Sequence, residues 1–164
     1  MRQRETNSGS YSLFMANNRV EVRGLGHDDH AEWEVLFKGY QTFYKTDLPP
    51  DVVDLTWKRF HDPSEPMHVL GAFVDGRLDG IVHYIFHRSC WTKGDYCYLQ
   101  DLFTREGSRG KGLGRQLIAA VKEAAIAAGA SRVHWLTHES NAEAMVLYNK
   151  VAERAGFLQY RIRL

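Results

Sequence analysis

Apolar residues recur along this chain with two different periods, and the switches between them mark out the elements. Asn18–Arg23 alternates weakly and predicts a first strand, broken by Gly24 and Gly26. From His27 to about Tyr44 the apolar residues Trp33, Leu36, Phe37, Tyr40, Phe43 and Tyr44 return at helical spacing. Acidic residues open that helix, as its dipole favours. A shorter helix, Pro50–Phe60, begins with proline. His68–Val74 and Leu78–His87 flank Asp75-Gly-Arg77, a tight-turn signal, and predict an antiparallel hairpin. Tyr98–Thr104 is aromatic and aliphatic with one charge, Asp101, as in a strand packed on both faces. From Gly112 the residues Leu113, Leu117, Val121, Ala124 and Ala128 form one helical face that Gly129 closes. Val133–Thr137 predicts a strand. Ser140-Asn-Ala-Glu143 has the spacing of a capping box, and the helix behind it carries Met145, Leu147, Tyr148, Val151 and Ala152, with Gly156 as its stop. Phe157–Leu164 alternates with period two and predicts a last strand.

The resulting order is strand, two helices, three strands, helix, strand, helix, strand. Hairpin-linked strands pair antiparallel and a helical crossover makes neighbours parallel, so the fold class is α/β with a mixed central sheet and helices on both faces. Residues 18–164 make one domain. Residues 1–17 are polar and include Asn7-Ser-Gly-Ser10, which predicts a disordered extension, with Met15 as an alternative start. A net charge of +1 does not predict a nucleic-acid binder. No apolar run reaches membrane-spanning length and no signal-peptide pattern is present, so cytoplasmic residence is expected. Cys90 and Cys97 make neither a disulfide framework nor a metal site.

The chemistry concentrates where the Tyr98–Thr104 strand meets the next helix. That helix opens inside Arg109-Gly-Lys-Gly-Leu-Gly114. Its first N–H groups lack intrahelical partners, the dipole adds positive charge, and glycines let a bulky anion approach. Arg109 and Lys111 add full charges. A phosphate or pyrophosphate seat is the result. A P-loop would need Lys after Gly112, and a dinucleotide fingerprint would need glycine where Arg115 stands.

The pattern Arg-x-x-Gly-x-Gly, behind a strand ending Asp-Leu-Phe-Thr, resembles the acetyl-CoA-binding motif of the GNAT superfamily of N-acetyltransferases. The element order resembles that fold over residues 18–164. Glu139–Glu153 looks like the yeast-type histone and polyamine acetyltransferases and their bacterial relatives, and Tyr98-Leu-Gln-Asp-Leu-Phe103 resembles the diamine acetyltransferases. The resemblance implies acetyl transfer from acetyl-CoA to a primary amine by direct attack in a ternary complex. It implies that the backbone of Leu102, Phe103 and Thr104 holds the pantetheine arm, and that a backbone N–H near Leu102 polarises the thioester carbonyl. It gives the pyrophosphate to Arg109, Gly110, Lys111, Gly112, Leu113, Gly114 and Arg115. Tyr148 matches the tyrosine that protonates the departing thiolate, and Asn141 matches an asparagine on the cofactor arm; Asn141 as a plain N-cap and Tyr148 as a core residue are the structural alternatives.

The general base stays open. Diamine acetyltransferases carry glutamate where Gln100 stands, and an amide cannot take a proton. Asp101 is the neighbouring carboxylate, pointing to the opposite strand face from Gln100. His83, His87, His134 and His138 are candidates by residue type, since the ordinary imidazole changes charge near neutral pH. Asp28, Asp29, Glu32, Glu34, Asp47, Asp51 and Asp54 crowd the first half and suggest either an acidic pocket for a small cationic amine or a solvated helix face. Acetylation of a protein lysine or N-terminus, and a noncatalytic CoA sensor, are the rival functions. A homodimer through the alternating terminal strand is expected.

Overall fold

The computed structural model describes residues 19–164, so the expected N-terminal extension lies outside the described residues. Five strands form one sheet in the order β1 to β5: Val20–Gly24, Met67–Val74, Arg77–His87, Tyr96–Thr104 and Arg132–His134. The first three pairings are antiparallel and β4–β5 is parallel. The β2–β3 hairpin turns on Asp75 and Gly76, both at positive φ (50° and 85°), the geometry of a type I′ turn.

Helices α1 (His30–Phe43) and α2 (Pro50–Phe60) cover one face. Their Trp33, Leu36, Phe37, Val53 and Trp57 pack with Val69, Phe73, Leu78 and Ile81 from the sheet. Helix α3 (Leu113–Ala127) covers the other face, where Leu113, Leu117 and Val121 are fully buried against Val82, Tyr84, Cys97 and Leu99. Burying each of these side chains stabilises the fold by about 1.5–3 kcal/mol. Helix α4 (Ala142–Val151) lies on the α3 side, with Leu147, Tyr148 and Val151 packed at the edge of that core.

Three features depart from the sequence pattern. The strand expected over Val133–Thr137 is three residues long, so Trp135–Thr137 leave the sheet. The last helix ends at Val151, five residues before Gly156, and Ala152 is already extended. The terminal strand expected at Phe157–Leu164 does not form: the segment has neither strand nor helix, and its side chains are exposed. Period-two alternation makes a segment competent to pair, but pairing also needs a free edge within reach.

Strand β4 carries the feature that positions the site. Its register against β3 runs His83 opposite Asp101 and then Tyr84 opposite Leu99, so Gln100 is an extra residue, a β-bulge. Cys97 and Leu99 face the α3 side before the bulge, and Leu102 faces it afterwards. Phe103 packs instead on the α1 side. The extra residue thus reverses the alternation that would have put Leu99, Asp101 and Phe103 on one face.

Candidate active site

β5 pairs with β4 only at Tyr96, Cys97 and Tyr98. Beyond Tyr98 the two strands part, and among the described residues the outer edge of β4 from Leu99 to Thr104 has no strand beside it. Backbone donors and acceptors on an unpaired edge need partners, and an extended ligand can supply them as a strand would. A cleft of about 430 Å³ opens at this edge. Its walls are Gln100, Leu102, Phe103 and Thr104 from β4, the turn into α3, Trp135 and Leu136 past β5, the inner side of α4, and Tyr40, Phe43 and Tyr44 from the end of α1.

The α1 stripe read from the sequence therefore has two fates. Trp33, Leu36 and Phe37 are core. Tyr40, Phe43 and Tyr44, at the stripe's C-terminal end, line the cleft, and Tyr40 also packs against that core and Phe103.

Along the same cleft, the N-cap of α3 is Gly112, whose φ of 80° suits glycine, and no side chain caps the helix. The first N–H groups of α3 are left for a ligand. Arg109, Gly110, Gly112, Leu113, Gly114 and Arg115 all border the cleft, whereas Lys111 does not. The Arg109 guanidinium sits 5.9 Å above the Phe43 ring, a cation–π contact that ties the basic turn to α1. Gly114 has a packing role as well: a Cβ there would lie 3.2 Å from Leu147 Cδ2 and 3.9 Å from Leu102 Cδ2. Glycine lets α4 approach β4 closely enough to close the cleft floor.

The turn itself is anchored by a group the sequence reading missed. Asp79 on β3 is fully buried. It accepts hydrogen bonds from Arg77 Nε (2.7 Å) and Nη2 (2.9 Å) and from Ser108 Oγ (2.7 Å), and Arg105 Nε lies 3.3 Å away. The Asp79 carbonyl also accepts from the Arg105 N–H at 2.7 Å. Burial works against the carboxylate's charge, but the Arg77 and Ser108 hydrogen bonds and the Arg105 charge outweigh it and lower its pKa. The available signal was the one acid of the strand, set between Leu78 and Gly80.

Tyr148 lines the cleft from α4, with Trp135 edge-on at 5.4 Å. Burial, with Tyr44 nearby, pushes its phenol up to about 12, so it remains a proton donor throughout the physiological range. Asn141 stands at the N-cap position of α4 but makes no capping bond. Its side-chain amide instead donates to Thr137 Oγ at 3.3 Å, at the cleft wall. The expected capping box is thus not formed, because Asn141 rather than Ser140 is the cap.

Asp101 does not border the cleft. Its carboxylate points to the α1 side and accepts from His83 Nδ1 at 2.9 Å. His87 and His134 face each other at 3.1 Å on the exposed end of the sheet, and His138 bonds Ser140. The acidic pocket is not assembled either: none of the seven carboxylates of the first half lines the cleft. Asp29 is held by Arg23, Glu32 accepts from the Leu78 N–H, Asp47 pairs with Lys38, and Asp28 and Asp51 are exposed. Glu34 and Asp54 border a separate shallow groove.

Comparison with known proteins agrees with this geometry. Residues 32–153 match the Acetyltransferase (GNAT) family. The D-amino-acid N-acetyltransferase HPA3 of Saccharomyces cerevisiae is 36% identical over 90% of this chain and 92% of its own length. A thialysine N-epsilon-acetyltransferase of Caenorhabditis elegans is 30% identical over 75% of this chain and 76% of its own. The kinship expected with histone and polyamine enzymes is therefore met by a yeast relative described for D-amino acids. The aminoglycoside N-acetyltransferase AAC(6')-Iy, solved in complex with CoA, shares the fold at a TM-score of 0.77, with 18% identity over 93% of this chain and all of its own. The half-paired β4, the uncapped glycine start of α3 and the family match converge: the chain belongs to the GNAT family of acetyltransferases, whose acyl donor is acetyl-CoA.

Proposed function

We propose that this enzyme acetylates the amino group of a small amino acid, with acetyl-CoA as donor, by direct attack within a ternary complex. The observation that carries the amino-acid reading is the cleft wall: Glu143 is its one carboxylate among the described residues, beside aromatic Tyr40, Phe43 and Tyr44. A polyamine with several charges would be left largely unpaired against such a wall, whereas a zwitterion carries its own counter-charge. The D-amino-acid and thialysine relatives, each described by an amino-acid acceptor, support the same choice.

In this reading the free edge of Leu102–Thr104 takes the pantetheine arm, an N–H near Leu102 stabilises the developing oxyanion, and the α3 turn with Arg109 and Arg115 takes the pyrophosphate. Asn141 steadies the arm and Tyr148 protonates the departing thiolate. A screen of thiol release against D- and L-amino acids, polyamines, lysine peptides and aminoglycosides tests it. Amino acids are expected to lead by at least tenfold in kcat/KM; a polyamine or peptide in first place overturns the acceptor class.

We also infer a cytoplasmic homodimer. Exposed Phe157, Leu158, Tyr160, Ile162 and Leu164 and the open edge of β5 support the dimer, since both are surfaces that pairing would cover. A monomeric mass in sedimentation at micromolar concentration rejects it.

A further inference from the structure

Two imidazoles meet over the first half of β4, away from the cleft. Cys97 and Leu99 face α3, so Tyr96 and Tyr98 point to the other side of the sheet, where neither is part of the core under α1 and α2. His87 of β3 is paired with Tyr96, and His134 of β5 is paired with Tyr98. Paired residues share a face, so all four side chains stand together. The histidines lean over β4 until their Nε2 atoms are 3.1 Å apart. Tyr98 stacks on His134 with ring centroids at 5.3 Å, and Tyr96 stands edge-on to His87 and His134 at 5.6 and 6.1 Å.

The hydrogen bonds place the ring protons. His87 Nδ1 is 2.9 Å from the Arg88 carbonyl oxygen, which can only accept, so Nδ1 carries the hydrogen. The lone pair of the neutral ring is then on Nε2, and His134 donates its Nε2–H to it. A metal-ligating histidine is oriented in the same way, with one nitrogen held by a carbonyl and the other bare. The spacing fits as well. Two nitrogens on one ion at 2.0–2.1 Å stand about 2.9 Å apart at a right angle and about 3.4 Å apart at the tetrahedral angle. The observed 3.1 Å lies between these limits. Burial first, then His87 and the Arg132 charge, lower the pKa of His134, which keeps the ring neutral at pH 7.

We propose that His87 and His134 form a two-histidine site for a borderline divalent ion, zinc or copper(II), which clips β3 to β5 across β4. Each Nε2 gives its lone pair to the ion, and the proton on His134 Nε2 moves to its own Nδ1, so nothing is oxidised or reduced. Imidazole nitrogen suits these ions. Magnesium and calcium need oxygen ligands, and the Arg132 guanidinium, 3.6 Å over the Tyr96 ring, adds a repulsion that only strong nitrogen ligation offsets. No group of three or more histidines, cysteines or carboxylates that could hold a metal forms among the described residues, so the remaining positions go to water and the site is open. β5 is the strand such a clip would reinforce, since it pairs with β4 over three residues.

Calorimetric titration of the full chain with zinc chloride at pH 7.5 should give one ion per chain in the micromolar range, and magnesium chloride should give no binding. His87→Gln and His134→Gln should each weaken zinc by at least about tenfold, the loss that removing even a supporting group causes. Cys90→Ser and His138→Gln remove another exposed thiol or imidazole and should leave the affinity as it is. Ring nitrogen-15 spectra should show His87 protonated on Nδ1 without metal, and zinc should shift Nε2 of His87 and His134 together. Zinc at about ten times its dissociation constant should raise Tm by about 4 °C in wild type and far less in either histidine variant. Binding that survives both histidine substitutions, that falls only in Cys90→Ser, or that is absent at millimolar zinc overturns the site. An equal rise in Tm in all three proteins, or none in wild type, overturns the clip. The result is independent of the acetyl-transfer reading, since neither histidine borders the cleft.

Discussion

The two halves of β4 have similar composition and different surroundings. Tyr96–Tyr98 is hydrogen-bonded to β3 on one side and β5 on the other. Past the bulge at Gln100, Asp101–Thr104 is paired to β3 alone, and its other edge opens on the cleft. The first half contributes stability: its Cys97 and Leu99 neighbour are core residues, and burial pushes the Cys97 thiol up to about 11, far from reactive. The second half is where the proposed chemistry is placed, because backbone groups left unpaired at a strand edge can take an extended ligand as a partner. The comparison teaches that this site arises where regular pairing stops, with the surrounding core rigid enough to hold the gap open.

The largest effect expected from breaking the second half is at the phosphate seat. Gly112→Asp places a carboxylate in the proposed phosphate seat, and acetyl-CoA affinity should fall beyond calorimetric detection. Gly112→Ala is the control. Its Cβ would meet nothing within 4 Å, so only the positive φ is strained, at about 1 kcal/mol in thermal unfolding, with binding retained. Equal loss in both variants would place the phosphates elsewhere.

Next, Tyr148→Phe should lower kcat about 100-fold while leaving acetyl-CoA affinity unchanged. Since the raised pKa keeps this phenol protonated up to about pH 12, an alkaline fall in kcat below pH 10 would have to come from another group.

Asp79→Asn tests whether β3, beside the end of the second half of β4, anchors the turn. It should cost about 2 kcal/mol in denaturant unfolding, less than a fully buried pair because Arg77 is largely exposed and regains water. The lowered pKa of Asp79 means that its contribution is present above the ordinary carboxylate value of 3.8 and is lost as pH falls through its folded value. The gap between wild type and variant should therefore close in acid, and a gap that is constant with pH counts against the assignment.

The smallest effect sharpens the cleft floor. Gly114→Ala brings a methyl to 3.2 Å from Leu147 and should cost about 1 kcal/mol through overpacking. A few-fold rise in KM for acetyl-CoA should accompany it, and an unchanged KM would remove Gly114 from the cleft geometry.

Much of the site was legible along the chain because it is local. The strand, the turn from Arg109 to Gly114 and the helix behind it are contiguous, and their glycines and charges declare an anion seat. The role proposed for Tyr148 comes from its motif position, and the structure puts that side chain on the cleft wall. Asp79 was not legible, since its partners Arg105 and Ser108 are more than twenty residues away. The acidic pocket failed for the same reason: Asp29, Glu32 and Asp47 have partners that only the folded chain provides.

The sequence by itself determined the order of elements through Val151, the hairpin at Asp75-Gly76 and the glycine start of α3. Hydrophobic period and backbone preference act over a few residues, so they can be read there. Only the tertiary structure decided that Gln100 bulges, that β5 stops at His134, that Asp101 turns toward His83 and that Phe157–Leu164 stays unpaired. These depend on which strand edges meet and in what register, and register is settled by packing between elements distant in sequence.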